Sequence, residues 1–400
     1  MTGAGNDPIA ELKARTPKVD GLCVKYAIDN ETLVVGDGEP QATVSMSKVS
    51  LEKMLAGDAD GASLFMTGDL KIDGDMNAAI GLWQAQQATE DTDSSEDTEI
   101  VPAGDKNDDI LFLDNVALIV NDLDTTRDRF KALGFNLAAR GNHYAEHPAG
   151  EFHRWGTGNH CANFRDGSML ELIGHYHKDY TVGLYGTTLR AFGDHWGKIT
   201  LHVSSADKEQ DRLEQQGIKP SGTAIFYRYT DGEEFEPTPM KSKRSILYSY
   251  PVELDDGIQL IGTTHTLGEF PMPDEHFQHP NGAIRLTTAV MAADDVGALI
   301  ARLETSLSIK AEDTALGRSI PVGRGSSILV LAKSDLPDRL KDHLGSRERG
   351  LVAARFEVQS LSETQDCLTS AGVSTTQTDL GLMVPEPING AGAVVFHEAD

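Results

Sequence analysis

The feature that most constrains the fold is a strand-and-helix pattern that occurs four times from residue 110 onwards. Each copy has an apolar strand, a Ser or Asp suited to cap a helix, and an amphipathic helix. Runs typical of β-strands follow each helix, and the copies start about 70 to 90 residues apart. The pattern predicts four β-α-β-β-β units, which begin near residues 110, 198, 283 and 351.

The first copy shows the pattern most clearly. Its strand is ILFLDNVALIV (110–120), Asp122 or Asp124 is placed to cap the helix, and Gly134 is placed to end it. The first two copies also end alike, with ELIG at 171–174 and QLIG at 259–262. Independent α+β domains mimic one or two such periods, but four in succession favour a repeat.

Residues 84–109 interrupt the globular pattern. They contain nine carboxylates, one lysine and almost no apolar side chain. Such a segment buries too little surface to offset the entropy of ordering, so we interpret it as a flexible acidic linker, with an interaction tail as the alternative. The predicted domains are therefore 1–83, then 110–267 with units one and two, and 268–400 with units three and four.

Charge and cysteine usage exclude several classes of function. The chain has 35 basic and 62 acidic side chains among 400 residues, a formal net charge of −27, so we expect no nucleic-acid partner. No run approaches the ~20 apolar residues that span a bilayer, and no secretory signal is visible. Cys23, Cys161 and Cys367 lie far apart without CxxC spacing, which favours a cytoplasmic protein.

Two segments of the first unit carry a family resemblance. LDNVALIVNDLDTTRDRFKALGF (113–135) and WGTGNHCANFRDGSMLELIG (155–174) resemble the glyoxalase-like members of the vicinal oxygen chelate superfamily. The resemblance implies paired βαβββ modules that curl around a cleft holding one divalent metal ion. It covers about residues 111–400 if all four units count.

The resemblance places metal ligands on the first and last strands of each paired unit. The corresponding residues are Asn115, where many relatives have His, with Glu171 and Gln259 aligned through the shared LIG. The repeat alignment puts Lys198 opposite Asn115, and His202 lies four residues further on the same strand face. The predicted metal ligands are therefore Glu171, His202, Gln259 and Asn115.

Each predicted ligand also has a structural interpretation. Glu171 is costly to bury unpaired, and Lys198 is available to form a salt bridge with it. His202 also fits a core histidine with satisfied hydrogen bonds, and Gln259 fits a side chain that bonds to backbone. Asn115 serves either as a weak ligand or as a hydrogen-bond partner.

We predict Glu171 and His143 as catalytic residues. His143 follows Gly141, at the position of the family's glycine-rich loop before the cleft, and histidine transfers protons near neutral pH. The first strands of units three and four contain no histidine, so we expect no iron site there. Residues 268–400 are interpreted as a degenerate half with a structural or dimer-like role, which leaves a homodimer open.

The amino-terminal domain resembles the sterol-carrier-protein family. The most specific phrase is LFMTGDLKIDGDM at 64–76, and the resemblance covers about residues 7–88. It implies an α/β sandwich around an apolar tunnel for fatty acyl or sterol-like lipids. On this basis the predicted lipid-binding residues are Phe65, Met66, Leu70, Ile72 and Met76.

The sequence therefore predicts an α+β protein with two kinds of module. We expect a metal-dependent enzyme, a lyase, isomerase or oxygenase, that acts on a small or hydrophobic oxygenated substrate and carries a fused lipid-binding domain. The alternative is a non-catalytic protein that binds or sequesters a lipid or small molecule.

Overall fold

The structure is a computed structural model. It describes residues 7–16, 23–56, 64, 69–74, 107–146, 152–175, 185, 188–189, 192–218, 224–229, 242–249, 258–265, 274–345, 347–385 and 392–399. Side chains are not described at 72, 74, 144–146, 152–156, 224–229 and 242–249. The chain divides into two compact units, one of residues 1–100 with 145–153 and one of residues 101–144 with 154–400.

The first unit is built on a four-stranded sheet. Its strands β1 (Cys23–Ile28), β2 (Glu31–Gly36), β3 (Ala42–Met46) and β4 (Leu70–Gly74) have the order β2-β1-β3-β4. Only the β1–β3 pair is parallel among these pairings. Helices α1 (Pro8–Arg15) and α2 (Lys48–Ala56) contribute Leu12 and Leu51 to the core under this sheet.

The second unit begins with a closed eight-stranded barrel of order β10-β11-β12-β9-β5-β8-β7-β6. Each half of the barrel contains one strand, one helix and three further strands. The elements are β5 (Ile110–Val120), α3 (Leu123–Ala132), β6 (Gly141–Glu146), β7 (Phe152–Asn163), β8 (Met169–His175), β9 (His195–Val203), α4 (Ala206–Gln215), β10 (Ala224–Tyr229), β11 (Ser242–Ser249) and β12 (Gln259–His265).

The rest of the second unit repeats the same arrangement as an eight-stranded sheet of order β14-β15-β16-β13-β17-β20-β19-β18. Its elements are β13 (Ala283–Ala293), α5 (Val296–Leu307), β14 (Glu312–Asp313), β15 (Arg318–Pro321), β16 (Ser327–Ala332), α6 (Asp338–Leu344), β17 (Arg349–Val358), α7 (Leu361–Ser370), β18 (Thr376–Thr378), β19 (Gly381–Val384) and β20 (Ala393–Glu398). Short 3-10 helices span Asp274–Phe277 and Lys333–Asp335. The predicted α+β fold with four βαβββ units is confirmed.

The four repeat helices begin in the same way. Asp122, Ser205, Asp295 and Ser360 are the N-caps, and each side chain accepts a hydrogen bond from the backbone N–H three residues later. These bonds satisfy donors that the first helical turn leaves without partners. The cap signals in the sequence therefore marked all four helix starts, and Asp122 rather than Asp124 is the cap of α3.

The two faces of the barrel strands have different environments. Val116 and Leu118 of β5 pack with Phe130 of α3 in a large core that also includes Phe356 of the second sheet. The alternate positions, Ala117 and Ile119, pack with Ile173 and Leu189 in a separate cluster. Since strand side chains alternate between faces, the positions in register with Ala117 face the barrel interior.

A β-bulge on β5 changes the predicted register. Leu113 pairs with Leu201 and Asn115 pairs with Thr200, so Asp114 is an extra residue in β5. Lys198 therefore lies opposite Ala117, and the prediction that it faces Asn115 is wrong by two positions. The one-residue bulge accounts for one of these two positions, and it places both Asp114 and Asn115 where their side chains turn inward.

Gly134 lies where the segment after α3 packs closely against the segment before β13. It follows α3 at φ +80°, and a Cβ there would lie 2.8 Å from the Cβ of Asn281, just before β13. Gly217 has φ +71° after α4, but a Cβ there meets nothing within 4 Å. We expect Gly217→Ala to lower the free energy of unfolding by about 1 kcal/mol, and Gly134→Ala by at least twice as much.

Urea unfolding of both variants measures this difference. Gly217→Ala is the matched control, because it carries the same backbone strain without the steric clash. Equal losses in the two variants would contradict the close packing of Gly134 against Asn281.

Candidate functional site

Three side chains at one end of the barrel interior form a candidate metal-binding group. Asp114 lies on the bulge of β5, His202 on β9, and His265 is the last residue of β12. One ligand atom from each lies within 4.8 Å of the other two. The Asp114 Oδ2 atom is 3.1 Å from His202 Nδ1 and 2.9 Å from His265 Nε2.

Neighbouring residues fix the orientation of this group. Asn115 Nδ2 donates a hydrogen bond to Asp114 Oδ1 at 2.8 Å, and Phe112 stacks on the His202 imidazole with ring centroids 4.7 Å apart. The Asp114 side chain is 1% exposed, whereas those of His202 and His265 are 21% and 22% exposed. The group therefore combines a buried carboxylate with two imidazoles that solvent can reach.

A buried ion pair lies further along the same interior face. Lys198 Nζ donates to Glu171 Oε2 at 2.5 Å, and Asn159 Nδ2 donates to Glu171 Oε1 at 2.5 Å. Both charged residues lie opposite Ala117, Glu171 on β8 and Lys198 on β9. The salt bridge between Glu171 and Lys198, which was the structural interpretation of Glu171 from the sequence, is present in the structure.

The ion pair keeps both groups charged. Burial disfavours the carboxylate, but the charge of Lys198 outweighs it, and with His143 and the hydrogen bonds lowers the pKa of Glu171 to about 2. Burial acts against the charged form of Lys198 too, yet Glu171 raises the pKa of that ammonium group above its usual value. Glu171 is therefore ionised at neutral pH and is a weak base there.

His143 and Tyr185 border the ion pair. His143 Nδ1 is 2.9 Å from Thr157 Oγ1, and its Nε2 is 3.9 Å from Glu171 Oε1. Burial raises the pKa of the Tyr185 phenol, against the opposing charge of Lys198. His143, chosen from its position after Gly141, thus lies beside the other residue that was predicted to be catalytic.

The structure separates the predicted metal ligands into two places. Glu171 bonds to Lys198, and Gln259 pairs with Lys198 across β12 and β9, whereas His202 is four residues away along β9. Four residues of strand span about 13 Å. Asn115 contacts the group that contains His202, as a hydrogen-bond partner of Asp114.

Sequence reasoning missed Asp114 and His265. Simple alternation from Asn115 puts Asp114 on the outer face of the strand, and only the bulge brings it inside. His265 lies three residues after the QLIG segment, beyond the part of the repeat that the alignment used. Its one available signal was strand alternation. His265 lies two residues after Thr263, which pairs with His202, so the two side chains of β12 share a face.

The second sheet has neither the Asp-His-His group nor the Glu-Lys ion pair at the corresponding positions. By register, Thr287 and Glu357 occupy the positions of Asp114 and His202, and Glu357 is paired with Arg285 at 2.7 Å. Leu329 and Ala353 occupy the positions of Glu171 and Lys198. Both pack in an apolar cluster with Leu340 and Leu344 of α6, so this helix covers the face that forms the interior in the barrel.

The predicted lipid-binding residues are only partly described. Leu70, on β4, is buried in the core of the first unit, and Ile72 is described by its backbone alone. Phe65, Met66 and Met76 lie outside the described residues. The lipid-binding set therefore stays a prediction.

Two family models match the chain. Residues 16–86 match the SCP-2 sterol transfer family, and residues 113–307 match a glyoxalase-like domain. The chain thus joins an SCP-2 sterol transfer domain to a glyoxalase-like domain, which confirms both resemblances seen in the sequence. No curated protein matches the sequence significantly.

Several solved structures are similar in outline. One is a hypothetical protein from Staphylococcus aureus, with TM-score 0.49 and 11% identity, covering 72% of this chain and 99% of that chain. Another is a mutant 4-hydroxymandelate synthase from Streptomyces coelicolor, with TM-score 0.46 and 12% identity, covering 73% and 94%. A third is a xylose isomerase-like TIM barrel/4-hydroxyphenylpyruvate dioxygenase fusion protein, with TM-score 0.42 and 13% identity, covering 74% and 44%. With every TM-score below 0.5, we draw no functional conclusion from these similarities.

Within the described part of the chain, no helix has both the length and the apolar character needed to cross a membrane.

The Glu171–Lys198 pair leads to a stability prediction. Glu171→Gln leaves a buried ammonium group without its counter-charge, so we expect the free energy of unfolding at pH 7 to fall by about 3 to 5 kcal/mol. Glu171→Gln/Lys198→Met removes both charges, and we expect it to recover more than half of that loss. Urea unfolding of the wild type and both variants measures this.

The same variant tests the lowered pKa. Because the folded pKa of Glu171 is about 2 and its ordinary value is 4.5, its contribution is complete above about pH 5 and is lost as the pH falls towards 2. The stability difference between wild type and Glu171→Gln should therefore narrow from pH 7 to pH 4. A difference that stays constant over this range would contradict the ion pair.

Proposed function

We propose that the chain is a metal-dependent enzyme of the vicinal oxygen chelate type, which acts on a small oxygenated substrate inside the barrel. The observation that carries this proposal is the convergence of Asp114, His202 and His265 at one end of the barrel interior. A metal ion with open coordination positions suits lyase, isomerase or oxygenase chemistry, because it can bind and polarise a substrate oxygen.

The donor set fits a divalent transition metal. Two imidazoles and one carboxylate suit zinc, iron, manganese or nickel, and three protein ligands leave positions open for substrate. When bound, the ion would supply Lewis acidity to a substrate oxygen. Asp114 would be the anionic ligand, and Asn115 would hold that carboxylate in place through the hydrogen bond to Oδ1.

The ion pair would take a separate part in the reaction. Lys198, kept charged by Glu171, is suited to stabilise negative charge that develops on the substrate. Glu171 acts through Lys198, since its low pKa makes it a poor proton acceptor at neutral pH. His143, next to this pair, is the residue we assign to proton transfer.

The SCP-2 domain would bind a fatty acyl or sterol-like lipid, as the family match supports. Its role would be to hold a hydrophobic ligand for the same protein. Cys23, Cys161 and Cys367 form no disulfide bond, which agrees with the proposed cytoplasmic location.

One observation favours the alternative function, a binding protein without turnover. The acid that the sequence singled out, Glu171, is neutralised by Lys198 and is not free to accept a proton. A binding protein requires the pocket and the metal but not His143. The enzyme is favoured if the wild type turns over a substrate and the His143→Asn variant, with its metal content retained, does not.

The proposed ligands predict which substitutions remove the metal. We expect the wild type, incubated with Co²⁺ and dialysed, to keep about one ion per chain, and Asp114→Asn, His202→Ala and His265→Ala each to lose at least 90% of it, as loss of one of three protein ligands requires. Inductively coupled plasma mass spectrometry gives the metal content.

Glu171→Gln and Gln259→Leu are the controls, because both positions were predicted as ligands from the sequence but lie away from Asp114. They should retain the metal. The proposal fails if the wild type binds no stoichiometric ion, or if Glu171→Gln loses the metal while His265→Ala keeps it.

A further inference from the structure

Three buried polar atoms lie next to the candidate metal ligands without any partner. Among the described residues, no hydrogen-bond partner reaches Asn115 Oδ1, Thr200 Oγ1 or Thr263 Oγ1. Their residues are 6%, 2% and 1% exposed. A buried polar atom without a partner costs about 1 to 3 kcal/mol, so three together at one place indicate a bound molecule.

Strand pairing shows that these atoms form one surface. Asn115 lies directly opposite Thr200 on β9, and Thr263 lies directly opposite His202 on the same strand. Thr200 and His202 are two residues apart and share a face. The three residues therefore surround the interior side of the metal-binding group.

The chemistry of the Asn115 oxygen restricts the ligand. Its Nδ2 atom donates to the Asp114 carboxylate, which fixes the orientation of the amide and leaves Oδ1 to face the interior. An amide oxygen only accepts hydrogen bonds, and the two threonine hydroxyls both accept and donate. A ligand that satisfies all three residues must therefore donate a hydrogen bond to Asn115 Oδ1. A hydroxyl group can donate there, and hydroxyl groups can also bond to the two threonine hydroxyls.

The same amide oxygen disfavours a carboxylate ligand. A carboxylate ligand would place acceptor oxygens against Asn115 Oδ1, with no donor there to meet them.

We propose that the barrel binds a ligand with two or more hydroxyl groups, rather than one that presents only acceptor oxygens to Asn115, as a carboxylate does. This inference rests on the proposed function and names the substrate class for the same site. Asn115 accepts from one hydroxyl, and Thr200 and Thr263 bond to the second.

Saturation-transfer NMR on the cobalt-loaded protein tests the ligand class. The probes are cis-cyclohexane-1,2-diol and cyclohexanecarboxylate, which share a ring but differ in donors and charge. We expect the diol to bind in preference, and Thr200→Val/Thr263→Val to weaken it at least threefold. The inference is overturned if the carboxylate binds better, if the diol does not bind, or if the variant binds the diol as well as the wild type does.

A second measurement does not depend on a probe or on the metal. Valine matches threonine in shape, so Thr200→Val/Thr263→Val removes two unpaired hydroxyls at little steric cost. We expect the melting temperature of the metal-free protein to rise by about 1 to 3 °C. Thr364→Val is the control, because the Thr364 hydroxyl bonds to Asn281 O and Ser360 O, and its loss should lower the melting temperature.

A fall in melting temperature for the double variant would overturn the inference, because it would show that the hydroxyls are satisfied within the folded protein. This outcome leaves the metal-binding result untouched. Absence of metal in the wild type, by contrast, contradicts the proposed function itself.

An independent observation concerns the turn between β15 and β16. The Arg324 guanidinium lies over the Phe112 ring, 4.2 Å from its centroid, and Phe112 in turn stacks on His202. Three contacts hold the turn in place: Arg324 Nη1 donates to Asp166 O at 2.7 Å, Arg285 Nη1 donates to Arg324 O at 2.7 Å, and Leu113 N donates to Ser326 Oγ at 2.9 Å.

From this chain of contacts we infer that Arg324 is a positioning residue for the metal site. It fixes the plane of Phe112, and Phe112 fixes the plane of the His202 imidazole. The Arg285–Glu357 pair of the second sheet supports the turn, although those two residues occupy the positions of Phe112 and His202. A turn of the second sheet thereby orients His202, a proposed metal ligand in the barrel.

Co²⁺ titration followed by visible absorption tests this role. Arg324→Ala should weaken Co²⁺ affinity about threefold or more and alter the spectrum, while Arg324→Lys, which keeps the cation, should restore both. Arg318→Ala, which removes a half-buried ion-pair residue on β15, is the matched control. Unchanged affinity and spectrum in Arg324→Ala would overturn the inference, and neither readout follows overall stability.

Discussion

The candidate site depends on one buried carboxylate. Asp114 is the extra residue of the bulge on β5, so it turns inward where regular alternation would turn it outward. A carboxylate with 1% exposure is stable only when its oxygens are bonded, and His202, His265 and Asn115 supply those bonds. The arrangement of all four residues thus follows from one local irregularity in one strand.

The two halves of the second unit share one architecture but differ at the positions of the candidate site. Both long first strands carry bulges at matching positions, and both sheets have the same strand order in their units. In the barrel, the row through Ala117 contains Glu171 and Lys198; in the second sheet the same row is Leu329 and Ala353 under α6. Along this row the barrel carries a charged pair, and the second sheet carries apolar residues where α6 packs.

Much of the fold followed from the sequence, because its signals are local. Helix caps, strand alternation and the repeated LIG ending predicted four units, and the family resemblances were confirmed. The site followed only in part: His202 was placed on the correct face, and the Lys198 partner of Glu171 was anticipated. Asp114 and His265 were missed, since a bulge and a strand end are set by pairing between distant segments, which a single sequence does not display.

The proposed metal ion lies between Asp114, His202 and His265. Anomalous X-ray diffraction at the cobalt edge, from crystals grown with Co²⁺, locates such an ion directly. We expect one strong peak about 2.0 to 2.2 Å from a side-chain atom of each of these residues. A peak beside Glu171 and Gln259, or none in the barrel, would contradict this proposal.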